Sequence, residues 1–506
     1  MANSSQLHAG QVLVLDVGTS ALKATLYSAQ GAIVAQASQS YAYASPEPNS
    51  AEADPDDWWR ALPPALAKLA ANLRSVRIVG LTGQMHSPVL LDARGEAIKP
   101  CLLWLDRRCT QETAELMAAL QLPPYHLNST YTLPKLMWLA RHRPEDIARA
   151  HTLLFPKDYV RYRLTGVICT DASEAGGAAL LDWQSRRWVA ERLHYAHLDG
   201  TVLPPLRGEG EVVGVVLDSV ADALGLPRAT PVIVGVGDVA AILGGAPIEP
   251  GRVMIAMGTS SMLYAILPDH LRDVRDENDG IYPYDLCGFR LLGGVSSLTG
   301  GALDWAWRAF GAASGLSFDQ AMRIVEQMTT GADGLVFVPY LTGERSPFWR
   351  DDLRGMFIGL HLGHTWAHML RAVVEGVGLC TRLMLQRFVR LGMPSPIVAL
   401  SGGAARYSIW RRVLADACQR TLALYGGDSA ASNVIYALCA QVLEPGVPFA
   451  EAMNRIFGQP TLIEPDEAMA QAYARAYAHY CHYLESMLQM SDEPSSYAKP
   501  NLDFVP

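Results

Sequence analysis

Two short stretches of this sequence combine residue types that bind phosphate. Each is a Gly-Thr-Ser triplet set between apolar runs, one at Gly18-Thr19-Ser20 and the other at Gly258-Thr259-Ser260. Glycine lets the backbone approach a phosphate closely, and the Thr and Ser residues add N–H and hydroxyl donors. The matching context of the two triplets predicts an internal repeat of two similar domains, each beginning with a phosphate-cradling hairpin.

Charged residues flank the first triplet only. Asp16 precedes it and offers a carboxylate of the kind that Mg²⁺ uses together with phosphate oxygens. Lys23 follows it and could act as a point charge for phosphate. The alternative is an ordinary hairpin whose aspartate accepts hydrogen bonds from the turn.

Asp238 is the acidic residue in the least polar surroundings, because it ends the apolar and glycine-rich run that begins at Pro231. A carboxylate in such surroundings is rarely buried unless it is paired or used. One interpretation is a cap for a helix starting near Val239, and the other is a general base where a strand meets a helix. The two are compatible, since a capping carboxylate still presents an oxygen to a cleft.

Three further stretches are candidates for ligand contacts. Gly83-Gln84-Met85-His86 follows a predicted strand and would suit a polyhydroxylated ligand, although a single loop histidine is often incidental. Asp106, with Arg107 and Arg108, forms either a binding cluster or a salt-bridge cluster. The glycines of Ser401-Gly402-Gly403 would let a ribose or a flat ring approach, or would simply precede a helix.

Two nucleotide-binding classes are excluded by missing motifs. No G-x-x-x-x-G-K-[ST] sequence occurs, which excludes a P-loop enzyme, and no G-x-G-x-x-G opens a helix after a strand, as a Rossmann dehydrogenase would require.

The elements that must position these residues alternate between strands and helices, which predicts the α/β class. Residues 58–73 predict a helix broken or kinked by Pro63-Pro64. The other predicted helices lie at 134–142, 156–164, 428–438 and 466–490. Strands are predicted at 11–16, 22–27, 76–81 and 397–403, the last ending in a glycine pair.

Composition restricts the class of protein. A chain of 506 residues is too long for a single core, and 50% hydrophobic with 18% charged residues excludes disorder. The net charge of −9 does not favour nucleic acid. Asp238 interrupts the most apolar stretch, so we expect no membrane-spanning helix there. The N-terminal residues lack the pattern of a signal peptide, and the scattered cysteines predict reduced thiols. We therefore expect a cytoplasmic protein without nucleic-acid or membrane partners.

Taken together, the motifs resemble those of the FGGY family of carbohydrate kinases, within the actin-like ATPase superfamily, from about residue 12 to about residue 480. The matching stretches beyond the two hairpins are Gly80-Leu-Thr-Gly-Gln-Met-His86, Gly235-Val-Gly-Asp238, Pro339-Tyr-Leu-Thr-Gly-Glu-Arg345, Arg371-Ala-Val-Val-Glu-Gly-Val377 and Ser401-Gly-Gly-Ala-Ala-Arg406. Within the family, Gly-Gln-Met-His86, Pro134-Lys-Leu-Met-Trp138 and Leu154-Phe-Pro-Lys-Asp-Tyr159 look most like xylulokinases.

The resemblance implies two actin-like (ribonuclease H-like) ATPase domains with a catalytic cleft between them. Residues 1–246 would form the N-terminal domain with the sugar site and the base, 247–490 the C-terminal nucleotide-binding domain, and 491–506 a tail. The implied reaction transfers the γ-phosphate of ATP, with Mg²⁺, to a sugar hydroxyl, converting D-xylulose to D-xylulose 5-phosphate. A homodimer is a further hypothesis, because the sequence does not determine oligomeric state.

The resemblance also assigns roles by position. Asp238 would be the general base and contact the sugar, and Asp16 would be catalytic through Mg²⁺. The remaining sugar contacts would be Gln84, Met85, His86 and Asp106. The phosphate and nucleotide contacts would be Thr19, Ser20, Lys23, Gly258, Thr259, Gly300, Gly402, Gly403 and Tyr407.

The chain departs from the family pattern at three places. Leu105 replaces a small polar residue next to the predicted sugar site. Tyr407 replaces a usual Ser or Asn, and Ser432-Asn433 replace a usual Gly-Ala pair, which we expect to affect the nucleotide end. The rival within the enzyme class is a kinase for another sugar or a sugar acid such as gluconate, with Arg107 or Arg108 binding the carboxylate. The rival outside it is a non-enzymatic actin-like ATP-binding protein.

Overall fold

The chain packs as two compact units. The computed structural model describes residues 11–122, 125–271, 280–350, 352–426 and 429–490. The first unit comprises the chain up to Gly244 together with Ala431–Ile456, and the second comprises Gly245–Ala430 with the chain from Phe457 onward. The division expected from the sequence has one boundary near the same point but lacks this return of Ala431–Ile456 to the first unit. The expected tail, 491–506, lies outside the described residues.

The first unit is built on a mixed sheet in the order β11-β12-β5-β1-β2-β3. In this sheet β1, β2 and β3 are antiparallel, β5 and β12 run parallel to β1, and β11 is antiparallel to β12. The strands of this unit are β1 Val12–Val17, β2 Ala21–Tyr27, β3 Ile33–Ser40, β4 Glu52–Ala53, β5 Ile78–Gly83, β6 Val89–Leu91, β7 Cys101–Leu102, β8 Thr152–Leu154, β9 Leu181–Asp182, β10 Arg187–Trp188, β11 Val212–Val215 and β12 Pro231–Ile233.

Helices α1 and α6 pack on the sheet of the first unit. The helices that precede Gly245 are α1 Pro55–Ala67, α2 Ala70–Leu73, α3 Thr110–Leu120, α4 Thr132–His142, α5 Pro144–Arg149, α6 Pro156–Thr165, α7 Ala172–Gly177, α8 Asp218–Leu224 and α9 Ala241–Gly244. The predicted helices at 134–142 and 156–164 are confirmed by α4 and α6. Of the two alternatives expected at Pro63-Pro64, the break is wrong, because α1 continues to Ala67 with Trp58 and Leu62 buried on its inner face. Burial of that face outweighs the loss of backbone hydrogen bonds at the two prolines.

The second unit repeats the sheet plan of the first. Its sheet has the order β15-β16-β14-β13-β19-β20-β21, in which β19 and β20 run parallel to β13, and β21 is antiparallel to β20. The strands are β13 Val253–Met257, β14 Ser261–Ile266, β15 Tyr282–Leu286, β16 Phe289–Ser296, β17 Val336–Val338, β18 Met356–Ile358, β19 Ile397–Ser401, β20 Thr421–Leu424 and β21 Thr461–Ile463. The shared strand order confirms both the α/β class and the internal repeat.

The later helices are α10 Gly300–Ala306, α11 Phe318–Glu326, α12 Trp366–Arg390, α13 Ser408–Cys418, α14 Ala430–Leu443, α15 Phe449–Asn454 and α16 Glu467–Met490. Helix α16 confirms the prediction at 466–490. Helix α14 corresponds to the prediction at 428–438, of which Asp428 lies outside the described residues. Helix α14 packs with the first unit, where Asn433 accepts from the Tyr27 hydroxyl at 2.9 Å and donates to the Gly244 carbonyl at 2.9 Å. Asn433 therefore links elements of the first unit, whereas the sequence placed its effect at the nucleotide end.

The described residues bear on two further features, membrane-spanning helices and the state of the cysteines. Within the described residues, no helix combines the length and the apolar character needed to span a membrane. Seven of the eight cysteines are buried, and Cys287 is partly exposed. The expectation that the cysteines are mostly buried is confirmed.

Candidate active site

Asp16 lies on β1 at the centre of the first sheet. Its neighbours in register are Lys23 on β2 and Thr82 on β5. Burial raises the pKa of the Asp16 carboxyl, and the positive charge of Lys23 opposes this rise. Asp16 is thus held in a position where a cationic partner stabilises its charged form.

Asp238 begins a 3₁₀ turn, Asp238–Ala240, which follows β12 after a short connection. The cap of this turn is Gly237, so the expectation that Asp238 caps the helix is wrong by one residue. The side chain of Asp238 reaches solvent. Even so, protein packed around the carboxyl and the negative charge of Asp16 raise its pKa to about 7, against a hydrogen bond from the Val239 N–H. A carboxyl of this pKa is suited to accept a proton near neutral pH.

Met85 and His86 lie in the loop that follows β5. His86 has a φ of 69°, in the left-handed region that histidine adopts more readily than most residues other than glycine. Its Nδ1 is 2.7 Å from the Gly177 carbonyl oxygen, and its ring packs on Tyr131 with centroids 4.9 Å apart. Burial lowers the pKa of His86 to about 4, so the ring is neutral. Because a carbonyl only accepts, Nδ1 carries the hydrogen, and Nε2 can accept a hydrogen bond from a hydroxyl.

The Met85 side chain packs against the backbone that carries Asp238. A Cβ added at Gly237 would lie 2.5 Å from Met85 Cγ, and one at Gly177 would lie 3.0 Å from Met85 Cε. The structure therefore brings together Met85, His86 and Asp238, three of the residues predicted to contact the sugar.

Side chains hold the tip of the first hairpin. Gln84 is buried, and its Nε2 donates to the Gly18 carbonyl at 3.3 Å, while the Tyr41 hydroxyl donates to the same oxygen at 2.5 Å. The Trp104 indole N–H donates to Thr19 Oγ1 at 2.9 Å. Ser20 and Lys23 are exposed. The contact of Gln84 is thus with the hairpin, and the Thr19 hydroxyl still has a hydrogen to donate.

Asp106 is buried in an ion pair with Arg108. Its Oδ2 lies 2.6 Å from Arg108 Nη2 and accepts from the Ala51 N–H at 2.9 Å. Arg108 also binds Glu47 and Glu52, at 2.6 Å and 2.7 Å. A sugar hydroxyl would have to compete with Arg108 for this carboxylate.

In the second unit the hairpin tip is held by backbone groups. The Gly300 N–H donates to the Gly258 carbonyl at 3.0 Å, and the Thr299 and Gly301 N–H groups donate to the Thr259 carbonyl at 2.8 Å and 3.1 Å. The start of α10 therefore encloses the tip, and it places Gly300 beside Gly258.

Gly402 and Gly403 form the loop after β19. Gly402 has a φ of +93°, and a Cβ there would lie 2.4 Å from the Met257 carbonyl oxygen, so only glycine fits. A Cβ at Gly403 would meet nothing within 4 Å, which leaves open space beside this loop. Tyr407, at the start of α13, is 41% exposed, and its ring lies 5.5 Å from Phe318.

The residues present fit a magnesium nucleotide. Asp16 and Asp238 are near enough that the first raises the pKa of the second. A divalent cation would relieve this repulsion, and Mg²⁺ is ordinarily held by one or two carboxylates together with waters and phosphate oxygens. Within the second unit, the open space beside Gly403 leaves room for a ligand next to the loop after β19.

A buried group of charges lies behind the site, and the sequence analysis gave it no role, although two of its members belong to the quoted stretch Leu154-Phe-Pro-Lys-Asp-Tyr159. Lys157 Nζ lies 2.6 Å from Asp158 Oδ1 and 2.7 Å from Asp171 Oδ2, with all three side chains fully buried. Glu174 is also buried, and neither of its carboxyl oxygens has a hydrogen-bond partner among the described residues. Burial raises the pKa of Glu174 well above its ordinary value, with Asp238 among the charges that add to the rise. Adjacent charged residues in a chain with so few charges were the signal available in the sequence.

Comparison with known proteins agrees with this geometry. Residues 11–245 match the N-terminal domain of the FGGY family of carbohydrate kinases, and residues 253–444 match its C-terminal domain. The chain is 33% identical to the xylulose kinase of Escherichia coli over 410 residues, covering 79% of this chain and 84% of that protein. It is 27% identical to the gluconokinase of Bacillus subtilis over 425 residues, covering 80% and 82%. The crystal structure of xylulose kinase from Rhodospirillum rubrum superposes with a TM-score of 0.85 at 27% identity, covering 95% of this chain and 99% of that one. The chain belongs to the FGGY family of carbohydrate kinases.

Proposed function

We propose that this carbohydrate kinase transfers the γ-phosphate of ATP to a hydroxyl of D-xylulose, giving D-xylulose 5-phosphate. The observation that carries the proposal is the placement of Asp238, whose pKa is raised to about 7, beside Asp16 and against the Met85–His86 loop. The xylulose kinase named among the relatives supports the choice of sugar. Phosphoryl transfer depends mainly on positioning and charge neutralisation, with one carboxylate to orient and deprotonate the nucleophile.

In this proposal the residues of the first unit bind the sugar and accept its proton. The Asp238 carboxylate takes the proton of the attacking hydroxyl, and His86 Nε2 accepts a hydrogen bond from a second hydroxyl. Met85 forms the apolar wall of the site. Asp106 stays a predicted sugar contact. Because its carboxylate is paired with Arg108, we expect it to contribute less to sugar binding than Asp238 and His86.

The second unit would bind the nucleotide. Gly258 and Thr259 would hold phosphate through the hairpin, with Thr19, Ser20 and Lys23 contributing from the first unit. Gly300, Gly402, Gly403 and Tyr407 would line the adenosine site. Bound Mg²⁺ would neutralise phosphate charge, with Asp16 as its protein ligand. A cytoplasmic location and a homodimeric assembly stay predictions from the sequence.

A sugar acid is the second candidate substrate, and the gluconokinase relative favours it. A carboxylate substrate needs an available cation near its C1 end. Arg108 is engaged by Asp106, Glu47 and Glu52, and Arg107 Nη1 donates to the Trp104 carbonyl at 2.6 Å. Because both guanidinium groups already have partners, we place a neutral ketose ahead of gluconate.

The test is sugar-dependent ADP release with a panel of ketoses, polyols and sugar acids at saturating ATP and Mg²⁺. We expect D-xylulose to give the highest kcat/KM, and His86→Ala to raise its KM while the KM for ATP stays within about twofold. A higher kcat/KM for gluconate would replace the substrate. ADP release that no sugar stimulates would overturn the proposed reaction.

A further inference from the structure

Ser173 lies one hydrogen bond behind the residue that precedes Asp238. Its Oγ accepts from the Gly237 N–H at 3.0 Å, and both residues are buried. Gly237 is the cap of the 3₁₀ turn that Asp238 begins. The bond therefore fixes the peptide that sets where the carboxylate is placed.

The direction of this hydrogen bond is fixed by Asp171. The Ser173 hydroxyl donates to Asp171 Oδ1, and the Ser173 N–H donates to the same oxygen at 2.8 Å. A hydroxyl has a single hydrogen, so its use toward Asp171 leaves only lone pairs facing Gly237. A buried polar chain in which each group has one possible role is rigid, because rearranging it would leave a group without a partner.

Asp171 is in turn held by a buried ion-pair network. Lys157 bridges it to Asp158, which also accepts from Arg161 Nη1 at 2.6 Å and from Thr170 Oγ1 at 2.6 Å. The side chains of Lys157, Asp158 and Arg161 are fully buried. Charged groups removed from water in this way are costly to displace, so Asp171 is a fixed anchor for Ser173.

The same short helix also fixes the histidine of the sugar site. Ser173 lies near the start of α7, and the last residue of α7, Gly177, accepts the hydrogen bond from His86 Nδ1. Helix α7 thus contacts both sides of the site through one rigid element. A shift of Ser173 would move Asp238 relative to His86.

We propose that Ser173 is a positioning residue for phosphoryl transfer, holding the Gly237 peptide so that Asp238 faces the hydroxyl of the sugar. The proposal rests on the proposed function, in which Asp238 is the base. Misplacement of a reacting group by about 1 Å can reduce a rate by about 100-fold. We therefore expect loss of the hydroxyl to reduce kcat while the KM for ATP changes little.

The chain contains a matched control for a purely structural role. Asp199 Oδ1 accepts from the Thr201 N–H at 2.8 Å and from its hydroxyl at 2.5 Å, which is the same capping arrangement on an exposed 3₁₀ turn. In the part of the chain that the structure describes, this hydroxyl makes no hydrogen bond to a sugar-site residue. Thr201→Ala therefore removes a capping hydroxyl without touching the base.

The experiment compares Ser173→Ala, Ser173→Thr and Thr201→Ala in the full-length enzyme, with D-xylulose and ATP varied separately. We expect kcat to fall about 10- to 100-fold in Ser173→Ala, to recover substantially in Ser173→Thr, and to stay within about twofold in Thr201→Ala. A thermal melt of each variant checks that it is folded. Wild-type kcat in a folded Ser173→Ala variant would overturn the inference.

A double-mutant cycle separates positioning of the base from a general loss of structure. If Ser173 acts through Asp238, Ser173→Ala should cost little further activity in an Asp238→Asn background. An equal loss in both backgrounds would contradict the proposal. Wild-type enzyme that phosphorylates no sugar would defeat the proposed function, whereas active wild type with an unchanged Ser173→Ala variant would defeat only this inference.

Discussion

The two Gly-Thr-Ser hairpins of this protein share a backbone plan and differ in charge. In each unit the hairpin is followed across the sheet by a parallel strand, β5 beside β1 and β19 beside β13. The first hairpin has Asp16 opposite Lys23, and the second has Ala256 and Leu263 at the same distances from its glycine. The repeated fold therefore provides two similar hairpins, and the first carries the charged residues on which the proposed acid–base and magnesium roles depend.

The tips of the two hairpins are also held differently. Side chains of Trp104 and Tyr41 hold the first, whereas backbone N–H groups of the Thr299–Gly301 segment, together with the Thr299 hydroxyl, hold the second. Backbone donors do not depend on side-chain identity. The hold on the second tip therefore depends less on the identity of single side chains.

The largest expected effect comes from removing the charge of Asp238. Asp238→Asn should lower sugar-dependent kcat by about 10²- to 10⁴-fold, because the amide cannot accept the hydroxyl proton. Calorimetric titration should show nearly unchanged ATP binding. Asp304→Asn, an exposed aspartate on α10 of the second unit, is the control and should be active. Near wild-type turnover in Asp238→Asn would show that the base is another residue, and the assignment of acid–base chemistry to the first unit would then lose its support.

Removal of the Asp16 charge should have the next largest effect. Asp16→Asn keeps the shape of the side chain but removes the carboxylate proposed to hold Mg²⁺, and we expect activity to fall about 100-fold. The dependence of nucleotide binding on Mg²⁺ should weaken as well. Because the hairpin itself could be disturbed, the variant is compared with wild type by thermal melt. A folded variant with an unchanged magnesium response would make Asp16 purely structural.

The pH profile tests whether the two carboxyls interact. Asp238 must be deprotonated to act as a base, so kcat/KM for the sugar should fall as pH drops below about 7, where its pKa lies. Asp16 contributes to the raised pKa of Asp238, so Asp16→Asn should move this acid limb to lower pH. An acid limb near pH 4 in the wild type would indicate that burial and Asp16 do not raise the pKa of Asp238.

The smallest expected effects concern one buried glutamate in each unit. Glu174 has no hydrogen-bond partner among the described residues, whereas Glu344 accepts from the Ser297 N–H at 2.6 Å and the Ser296 hydroxyl at 3.1 Å. Glu344→Leu should destabilise the fold by about 1–3 kcal/mol, because donors lose their acceptor. Glu174→Leu should be neutral or stabilising. The free energy of unfolding in denaturant would measure both.

The effects of these two substitutions on the free energy of unfolding should depend on pH. Burial raises the pKa of both carboxyls, that of Glu344 to about 7. Each carboxyl therefore binds its proton more tightly in the folded chain than in the unfolded chain. The resulting stabilisation of the fold is complete below the ordinary pKa, near 4.5, and is lost as pH rises through the folded pKa. Any gain in Glu174→Leu should be larger at pH 8 than at pH 5. A gain that shrinks with rising pH would contradict a raised pKa at Glu174.

Several features of this protein could be predicted because they depend on local sequence. Strand–turn–strand patterns around Gly18 and Gly258 are set by β-branched residues and turn chemistry within a few positions, and both hairpins are present. The helices near Pro134 and Pro156 begin where a proline fits the first turn. Asp238 was singled out because a carboxylate after an apolar run needs an explanation, and the structure gives it a raised pKa.

Tertiary structure alone decided which distant residues meet. The hydrogen bond of Ser173 with Gly237, the ion pair of Lys157 with Asp171, and the contacts of Asn433 with Tyr27 join residues whose separation along the chain carries no local signal. Such pairs form because burial forces each polar group to find a partner among whatever the packed elements bring near it. Local sequence was therefore sufficient to predict the two hairpins and to single out Asp238. The folded chain decided which buried groups hold that acid in place, because only packing sets their distances.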